Sequence, residues 1–384
     1  MPEMWLPYGS VDVPIDIRGE NIARVFDPRI TTLEDVEMLQ KIREVSLDND
    51  SQIVMCDSTS ASRKALGILL DSKDKDVSGV KVVSHKQHYT PVKKICESRG
   101  FPTTVLDDSS DILGEFDGVQ IKLPSMFNKR RNIILISKVG YDPLFGFSGG
   151  SASLVRSFDQ LLAEAFYRRN SDKPSSGYET DSGKFADGLV DILDGVKAIE
   201  VVGTINDVVD IYTGNVLTSH RQAKEKLTSI SKETLSGTIR NIIVSPGGSE
   251  IDSTLSSSLS AIWNVLECMK EGSNVILIAE CSEGLGSEAF RRYICGRLDI
   301  RKLIKKRDYV RGVEVLLYLQ EILGKINITV TSSLPHYYVE SILGLHVASR
   351  SQDALTHIFS TSGPRAKVHI VPYASQTILR NGEE

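Results

Sequence analysis

Short apolar runs alternate with amphipathic segments along most of this chain. The apolar runs predict strands at 52–56, 80–84, 103–106, 133–137, 198–203, 239–244, 275–279, 326–331 and 368–372. Segments with helical spacing predict helices at 33–46, 62–70, 90–98, 153–169, 186–193, 216–231, 256–271, 313–323 and 351–360. This alternation is typical of an α/β fold with mostly parallel sheets and helices on both faces.

The length of 384 residues and a new α/β unit near residue 236 predict two α/β domains, 1–235 and 236–384. Period-two alternation over 11–17 predicts short strands near the N-terminus. The last predicted strand is assigned to the second domain, and the alternative is that it packs back on the first domain. The polar, glycine- and serine-rich segment 169–185 predicts a loop. Because ligands of open α/β sheets bind beyond the carboxyl ends of the strands, an inter-domain cleft is the default binding site.

The composition and the net charge limit the kinds of partner that this protein is expected to bind. Hydrophobic residues make up 41% of the chain, charged residues 25%, and the net charge is −5, so no global basic field favours nucleic acid. No apolar run approaches the roughly 20 residues of a membrane helix, and the N-terminus lacks a signal-peptide pattern, which predicts a cytoplasmic location. The five cysteines form no CxxC pair, so neither a disulfide framework nor a structural zinc site is expected.

A glycine-rich turn follows the apolar run at 133–137 and precedes a predicted helix. Its residues Ser148, Gly149, Gly150 and Ser151 are predicted to form an anion or phosphate site, because backbone N–H groups are free at a helix N-terminus and glycine lets them approach a ligand. The alternative is an ordinary strand-to-helix turn. A second glycine turn, 283–288, is either a companion anion site or a helix start capped by Ser287.

Three ionisable residues near predicted strand ends are candidates for acid–base chemistry. His88 is a candidate general base because its pKa suits proton transfer near neutrality; the alternative is a locally hydrogen-bonded surface histidine. Asp142 precedes a proline and either initiates a turn or serves as a carboxylate base. Asp57 either helps to cap the next helix or orients a ligand hydroxyl. His85 and His88 are not expected to bind a metal, since no third ligand lies nearby in the sequence.

Several motifs, in order, resemble those of the LarA-like proteins, the nickel-pincer-nucleotide-dependent lactate racemases and their relatives. The most specific is 145–150, Phe-Gly-Phe-Ser-Gly-Gly, which is similar to the family's Ala-Gly-Phe-Ser-Gly-Gly. The others are Leu6-Pro7-Tyr8-Gly9, Cys56-Asp57-Ser58-Thr59, His88, Pro246-Gly247-Gly248 with Asp252, and 284–290. The resemblance runs nearly end to end and implies a LarA-like fold of two α/β domains with an inter-domain cleft.

The resemblance also implies particular chemistry, and this chain departs from it. The family's cofactor-tethering lysine corresponds to Ala152, its nickel-binding histidine to Arg168, and one catalytic histidine to Asp142, while His88 keeps the other. The family's substrate arginine corresponds to Ser60, with Arg63 one helical turn on. The nickel-pincer nucleotide is therefore implied by the family, but the replaced residues predict that it is not covalently tethered here, and no metal ligand is predicted.

The remaining candidates are expected to contact a ligand if this chain binds it in the same inter-domain cleft as the family. Arg168 is expected either to complement a helix dipole or to clamp a phosphate or carboxylate in the cofactor pocket. In the second domain, Gly247 and Gly248 with the following Ser257 and Ser260 are the candidate substrate-binding residues, the serines corresponding to a glutamine and a lysine of the family.

Two classes of function remain open at this stage. The first is a divergent racemase- or epimerase-type isomerase of small 2-hydroxy acids, with His88 and Asp142 as the acid–base pair. The second is a non-catalytic sensor that holds an anionic metabolite or a nucleotide on the racemase fold. Both predict a small anionic partner and neither predicts nucleic acid or a membrane; homo-oligomerisation is left open.

Overall fold

The computed structural model describes residues 3–27, 30–72, 77–106, 111–128, 132–193 and 195–382. The strands are β1 (Glu3–Tyr8), β2 (Val11–Asp16), β3 (Ile22–Val25), β4 (Gln52–Met55), β5 (Lys81–Ser84), β6 (Thr103–Val105), β7 (Asp111–Phe116), β8 (Val119–Leu123), β9 (Ile133–Asp142), β10 (Gly146–Ser148), β11 (Val196–Gly203), β12 (Val208–Asn215), β13 (Lys232–Leu235), β14 (Ile239–Val244), β15 (Met269–Ile278), β16 (Asn327–Thr331), β17 (His346–Val347), β18 (Val368–Val371) and β19 (Ile378–Asn381). The helices are α1 (Asp35–Ile42), α2 (Ser60–Asp71), α3 (Tyr89–Glu97), α4 (Gly150–Arg156), α5 (Asp159–Tyr167), α6 (Asp181–Asp191), α7 (Val216–Ser231), α8 (Leu255–Ser258), α9 (Ser260–Trp263), α10 (Glu288–Ile294), α11 (Ile300–Lys306), α12 (Val313–Ile322) and α13 (Ser351–Ser362).

The first unit is built on a sheet of order β12-β11-β9-β4-β5-β6, with the short β10 paired to β9. All neighbours on the main path are parallel except β11 and β12. Residues Ile133 to Ile136 of β9 are buried, and successive ones pack into separate cores on the two faces of the sheet. Burial on both faces explains why this strand is a continuous apolar run.

The second unit is a parallel sheet of order β17-β16-β15-β14-β18-β3. Its edge strand β3 comes from the N-terminus, and the β1–β2 hairpin packs Leu6 and Ile15 into the core of this sheet. The first 25 or so residues thus pair and pack with the second sheet, although they fall within the predicted first domain, 1–235. The mostly parallel α/β architecture itself is confirmed.

The chain's end also departs from the expectation. The strand predicted at 368–372, β18, pairs with β14 inside the second sheet rather than packing back on the first unit. The following strand, β19, was not predicted; it pairs with β13, and its Ile378 packs among residues of the first unit. The two units are thus joined by strands as well as by linkers.

Two long predicted helices are interrupted. The segment 153–169 breaks into α4 and α5, and 256–271 breaks into α8 and α9 before β15 begins. In the second case the hydroxyls of Ser257 and Ser258 donate to the carbonyl of Thr254, and Ser260 donates to that of Ser257. Such local side-chain bonds offer the backbone an alternative to a continuous helix.

Some elements lay outside the sequence prediction. The β7–β8 hairpin and β12 were not predicted, and α6 begins inside the predicted loop 169–185, where Thr180 caps it by accepting from the N–H of Gly183. In the described part of the chain, every helix is too short or too polar to span a membrane.

Candidate functional site

A cleft of about 390 Å³ lies between the two units. From the first unit it is lined by residues that follow or end β4, β5, β9 and β11, and from the second by Ile251, Ser260, Arg311, Ser375 and Gln376. It therefore occupies the position expected for a ligand site, beyond the carboxyl ends of parallel strands. Another cavity of about 380 Å³, bordered by Tyr178 and Trp263, contains none of the predicted site residues.

His88 lines the cleft, at the turn between β5 and α3. The side-chain amide of Gln87 donates to its Nε2 at 2.8 Å, and its Nδ1 lies 3.0 Å from the hydroxyl of Ser58. In the neutral ring Nε2 therefore accepts and Nδ1–H donates. Burial lowers the pKa of His88 and outweighs the opposing effect of the Asp57 carboxylate. His88 is thus a neutral proton acceptor at the cleft wall near pH 7.

Asp57 also lines the cleft, but its carboxylate is engaged by the protein. Oδ1 accepts from the N–H and the hydroxyl of Thr59, and Oδ2 accepts from the N–H of Lys138 at 2.6 Å. Thr59, in turn, caps α2 by accepting from the N–H of Ser62. These bonds give Asp57 a structural role, holding the start of α2 against β9, rather than leaving it available as a base.

Asp142 is almost fully buried and does not line the cleft. It accepts from the N–H groups of Leu144 and Phe145, as the turn interpretation predicts, and forms a two-point ion pair with Arg156 at 2.6–2.8 Å. Arg156 does line the cleft and is also 3.4 Å from Glu314 of the second unit. In this structure Asp142 therefore positions Arg156, since its oxygens accept from this guanidinium and from two backbone N–H groups, while the role of general base stays a prediction.

The glycine turn differs from the predicted anion cradle. The N–H of Gly149 donates to the hydroxyl of Ser153, and the N–H of Gly150 donates to that of Ser137. Beneath the turn lies a buried pair, Glu200 and His220, whose Oε2 and Nδ1 are 3.5 Å apart. The N–H groups of both glycines are thus satisfied by serine hydroxyls, and the two glycines make room for this buried pair.

Gly149→Ala is expected to lower the free energy of unfolding by about 3 kcal/mol or more. At φ 99° and ψ 173° the residue occupies a region almost restricted to glycine, and an added Cβ would lie 2.7 Å from Oε2 of Glu200. Urea denaturation measures the change. Gly100→Ala is the control: its φ is also positive but nothing lies within 4 Å of the added Cβ, so a loss of about 1 kcal/mol is expected. Equal losses in both variants would refute the packing argument.

Three other predicted residues face away from the cleft. The hydroxyl of Ser151 donates to Asp187 on α6, and Ala152 is buried in the apolar core of the first unit. Arg168 pairs with Glu164 at 2.9 Å and Asp117 at 3.2 Å, and its guanidinium lies over Phe185. In this structure Arg168 therefore lies at the end of α5, where the helix-dipole alternative expects it, and its guanidinium is paired with these two carboxylates.

In the second unit only part of the predicted set reaches the cleft. Ser260 lines it, whereas Ser257 bonds to Thr254 within its own turn. Gly247 packs against Ile205 of the first unit, where an added Cβ would approach to 2.1 Å, so it serves the contact between the units. An added Cβ on Gly248 would lie 3.0 Å from the carbonyl oxygen of Gly9, so its place is against the N-terminal hairpin. In the second glycine turn, Ser287 caps α10, as one of the two interpretations predicted.

Three cations of the cleft, Lys138, Arg311 and the Arg156 described above, were missed from the sequence. Lys138, on β9, donates through Nζ to the carbonyl of Thr204 at 2.6 Å, and no carboxylate of the described residues lies within 4 Å of that nitrogen. Arg311, in the loop before α12, donates to the carbonyl of Arg156 and pairs with Asp159 at 2.6 Å. A lysine directly after the apolar run 133–137 of a central strand was the available signal, because such a charge is tolerated only where the strand meets a cavity or a partner.

The charges at the cleft wall favour an anion. Among the described residues, three basic side chains line it, Lys138, Arg156 and Arg311, together with one carboxylate, Asp57, whose oxygens are engaged. Lys138 retains two N–H donors beyond its bond to Thr204. Burial lowers the pKa of Lys138, although Glu250 and Asp57 partly compensate. A half-buried ammonium with unused donors is the group in this cleft best placed to bind a carboxylate.

Comparison with known proteins places the fold. The chain is similar to the lactate racemase apoprotein from Thermoanaerobacterium thermosaccharolyticum, with a TM-score of 0.82 and 17% identity over 99% of this chain and 100% of that one. It is also similar to a protein from Thermotoga maritima solved by a structural genomics consortium, with a TM-score of 0.64 and 11% identity over 93% of this chain and 100% of that one. No family model and no curated protein sequence matches. The chain has the LarA-like lactate racemase fold.

Proposed function

We propose that the cleft binds a small carboxylate-bearing metabolite of the 2-hydroxy-acid type. The observation that carries this proposal is Lys138, whose Nζ lines a half-buried cleft with no carboxylate within 4 Å among the described residues. A ligand carboxylate there gains charge-assisted hydrogen bonds in a partly desolvated site. The fold shared with a lactate racemase supports the size and class of the ligand.

The other groups of the cleft complete the recognition of such a ligand. Arg156 and Arg311 add positive potential, since both line the cleft, while their direct contacts are with Asp142, Asp159 and Glu314. His88, neutral near pH 7, accepts a hydrogen bond from the ligand's hydroxyl group in place of the Gln87 amide. If the bound ligand is turned over, His88 is the group that accepts the proton from C2 of the ligand.

The residues do not fit the covalently tethered nickel group of the racemases. Ala152 has no amine and its side chain is packed in the core, and Arg168 is ion-paired outside the cleft. We therefore assign no step to that group, and the proposal depends on the chain's own side chains.

Ligand affinity is expected to fall as the pH rises through the lowered pKa of Lys138. The ammonium form binds the carboxylate, so affinity is complete below that pKa and lost above it, and the loss begins at a lower pH than for a surface lysine. Isothermal titration of lactate between pH 6 and pH 10 measures the profile. Lys138→Arg keeps its charge over this range and should abolish the decline; a decline that persists in this variant would contradict the assignment.

A ligand panel tests the proposal itself. Purified protein is titrated with both lactate enantiomers, with acetate, with inorganic phosphate and with adenosine monophosphate. Preferential binding of lactate supports the 2-hydroxy-acid site, and preferential binding of the nucleotide supports the sensor alternative instead. Lactate incubated in deuterium oxide separates binding from catalysis, since exchange of the C2 hydrogen, followed by NMR, requires a proton acceptor such as His88. Failure to bind any of these carboxylates would refute the proposal.

A further inference from the structure

Glu250 reaches across from the second unit to the first. It lies in the turn after β14, and its Oε1 accepts from the N–H of Ser60, the first residue of α2, at 2.6 Å. The same oxygen is 3.4 Å from the guanidinium of Arg63 on α2. Arg63 also donates to the carbonyl of Ser58 at 2.8 Å, which holds its side chain at the helix start. One carboxylate of this protein is therefore bound by the other unit.

The position that Glu250 fills has the chemistry of a carboxylate site. It combines a free backbone N–H at the start of a 12-residue helix with an arginine, and the helix dipole adds to the attraction. The hydroxyl of the capping residue Thr59 accepts from the N–H of Ser62 and not from that of Ser60. The N–H of Ser60 therefore takes an acceptor from outside the helix, which is Glu250. The resident carboxylate is itself the observation that this position takes an anion.

This position borders the cleft. Thr59 and Ile251, the neighbours of Ser60 and Glu250 in the chain, both line the cavity. Lys138 and Asp57 both influence the pKa of Glu250, which burial raises above its usual value. The second oxygen, Oε2, is buried and has no hydrogen-bond partner among the described residues. The carboxylate thus lies next to residues that line the cleft, with one oxygen bound and one unsatisfied.

We propose that Glu250 occupies the second carboxylate position of the cleft and thereby restricts the ligand to monocarboxylates. The inference rests on the proposed function, because Lys138 binds the ligand's single carboxylate. A dicarboxylate would bring its second charge towards Glu250 and find the donors of Ser60 and Arg63 already used. Like-charge repulsion and an occupied donor set both act against the larger acid, which is selection by exclusion.

Lactate and malate test this, because both are 2-hydroxy acids and malate carries the extra carboxylate. Wild-type protein is expected to bind L-lactate at least about tenfold more tightly than L-malate. In Glu250→Ala, the vacated N–H and guanidinium can receive the second carboxylate, so the ratio of the two affinities is expected to shift towards malate by about tenfold or more. Glu225→Ala removes an exposed carboxylate of α7 and should leave the ratio unchanged.

A second measurement covers the event that Glu250→Ala is poorly folded. Glu250→Gln keeps an acceptor for Ser60 and nearly the same volume while removing the charge, so it should relax the discrimination against malate in part. In addition, acetate should raise the thermal midpoint of Glu250→Ala more than that of wild type, because it replaces the missing carboxylate. An unchanged lactate-to-malate ratio in both variants, without extra stabilisation by acetate, overturns the inference. Wild-type protein that binds no carboxylate overturns the proposed function instead.

Discussion

Lys138→Met is expected to weaken lactate binding by about 100-fold or more, the largest functional effect of any single substitution considered for the cleft. Methionine preserves the length and the apolar stem of the side chain, so the walls of the cleft remain in place. What is lost is the ammonium with its two unused donors. Among the described residues, it is the one cation of the cleft whose only hydrogen bond is to a carbonyl rather than to a carboxylate. The ligand carboxylate would then be partly desolvated without a direct partner.

Isothermal titration of lactate into wild type and variant measures this loss. Lys184→Met is the matched control, because that lysine lies on α6 with a 69% exposed side chain and pairs only with Asp181. It should leave affinity within about twofold of wild type. Lactate affinity that survives in Lys138→Met at the wild-type level would place the ligand elsewhere and remove Lys138 from the proposal.

Asp142→Ala is expected to cause the largest loss of stability, about 3–5 kcal/mol in the free energy of unfolding. Asp142 accepts two backbone N–H groups and forms the two-point pair with Arg156, and all of these partners are buried or partly buried. Removing the carboxylate leaves Arg156 with only Glu314 at 3.4 Å as a counter-charge and leaves two N–H groups unsatisfied.

Urea denaturation gives the comparison, with Asp71→Ala as the control. Asp71 also forms a two-point pair with an arginine, Arg99, but its side chain is 58% exposed, so its loss should cost less than about 1 kcal/mol. Asp142→Ala as mild as the control would contradict the structural role given to this residue, and would favour its predicted role as a general base.

Much of the fold was predictable because the signal is local. Each buried parallel strand, such as β9 or β14, is a short run of Val, Ile and Leu, and each glycine turn sits at a strand end, so the α/β class and the cleft followed. The assignment of β3 and the β1–β2 hairpin to the second unit did not follow, because strand pairing between residues 25 and 370 leaves no mark in either segment.

The site was less predictable, because its chemistry depends on which groups are already satisfied. Gly149 and Gly150 have the sequence of an anion-binding turn, yet Ser137 and Ser153 take up their N–H groups. In the sequence Asp142 resembles a catalytic carboxylate, but in the structure the guanidinium of Arg156, 14 residues away, donates to it. Neither competition can be deduced from spacing alone, since both partners come into contact only through tertiary packing.

Lys138 and Glu250 are the opposite case, since their sequence does not suggest a site and their surroundings in the structure do. Both are ordinary charged residues in the sequence, and both become informative only when strand ends and turns from two units meet. Lys138 directly follows the apolar run of β9, a local signal that was available, whereas Glu250 lies in a polar turn that carries no such signal. Its role depends on the contact with Ser60, which lies 190 positions away in the chain.

A crystal structure of the protein with lactate is the most direct test of the central claim. We expect electron density for lactate in the inter-unit cleft, with its carboxylate within hydrogen-bonding distance of Nζ of Lys138 and its hydroxyl group facing His88. Lactate bound in another cavity, or an empty cleft in crystals of protein that binds lactate in solution, would contradict the account.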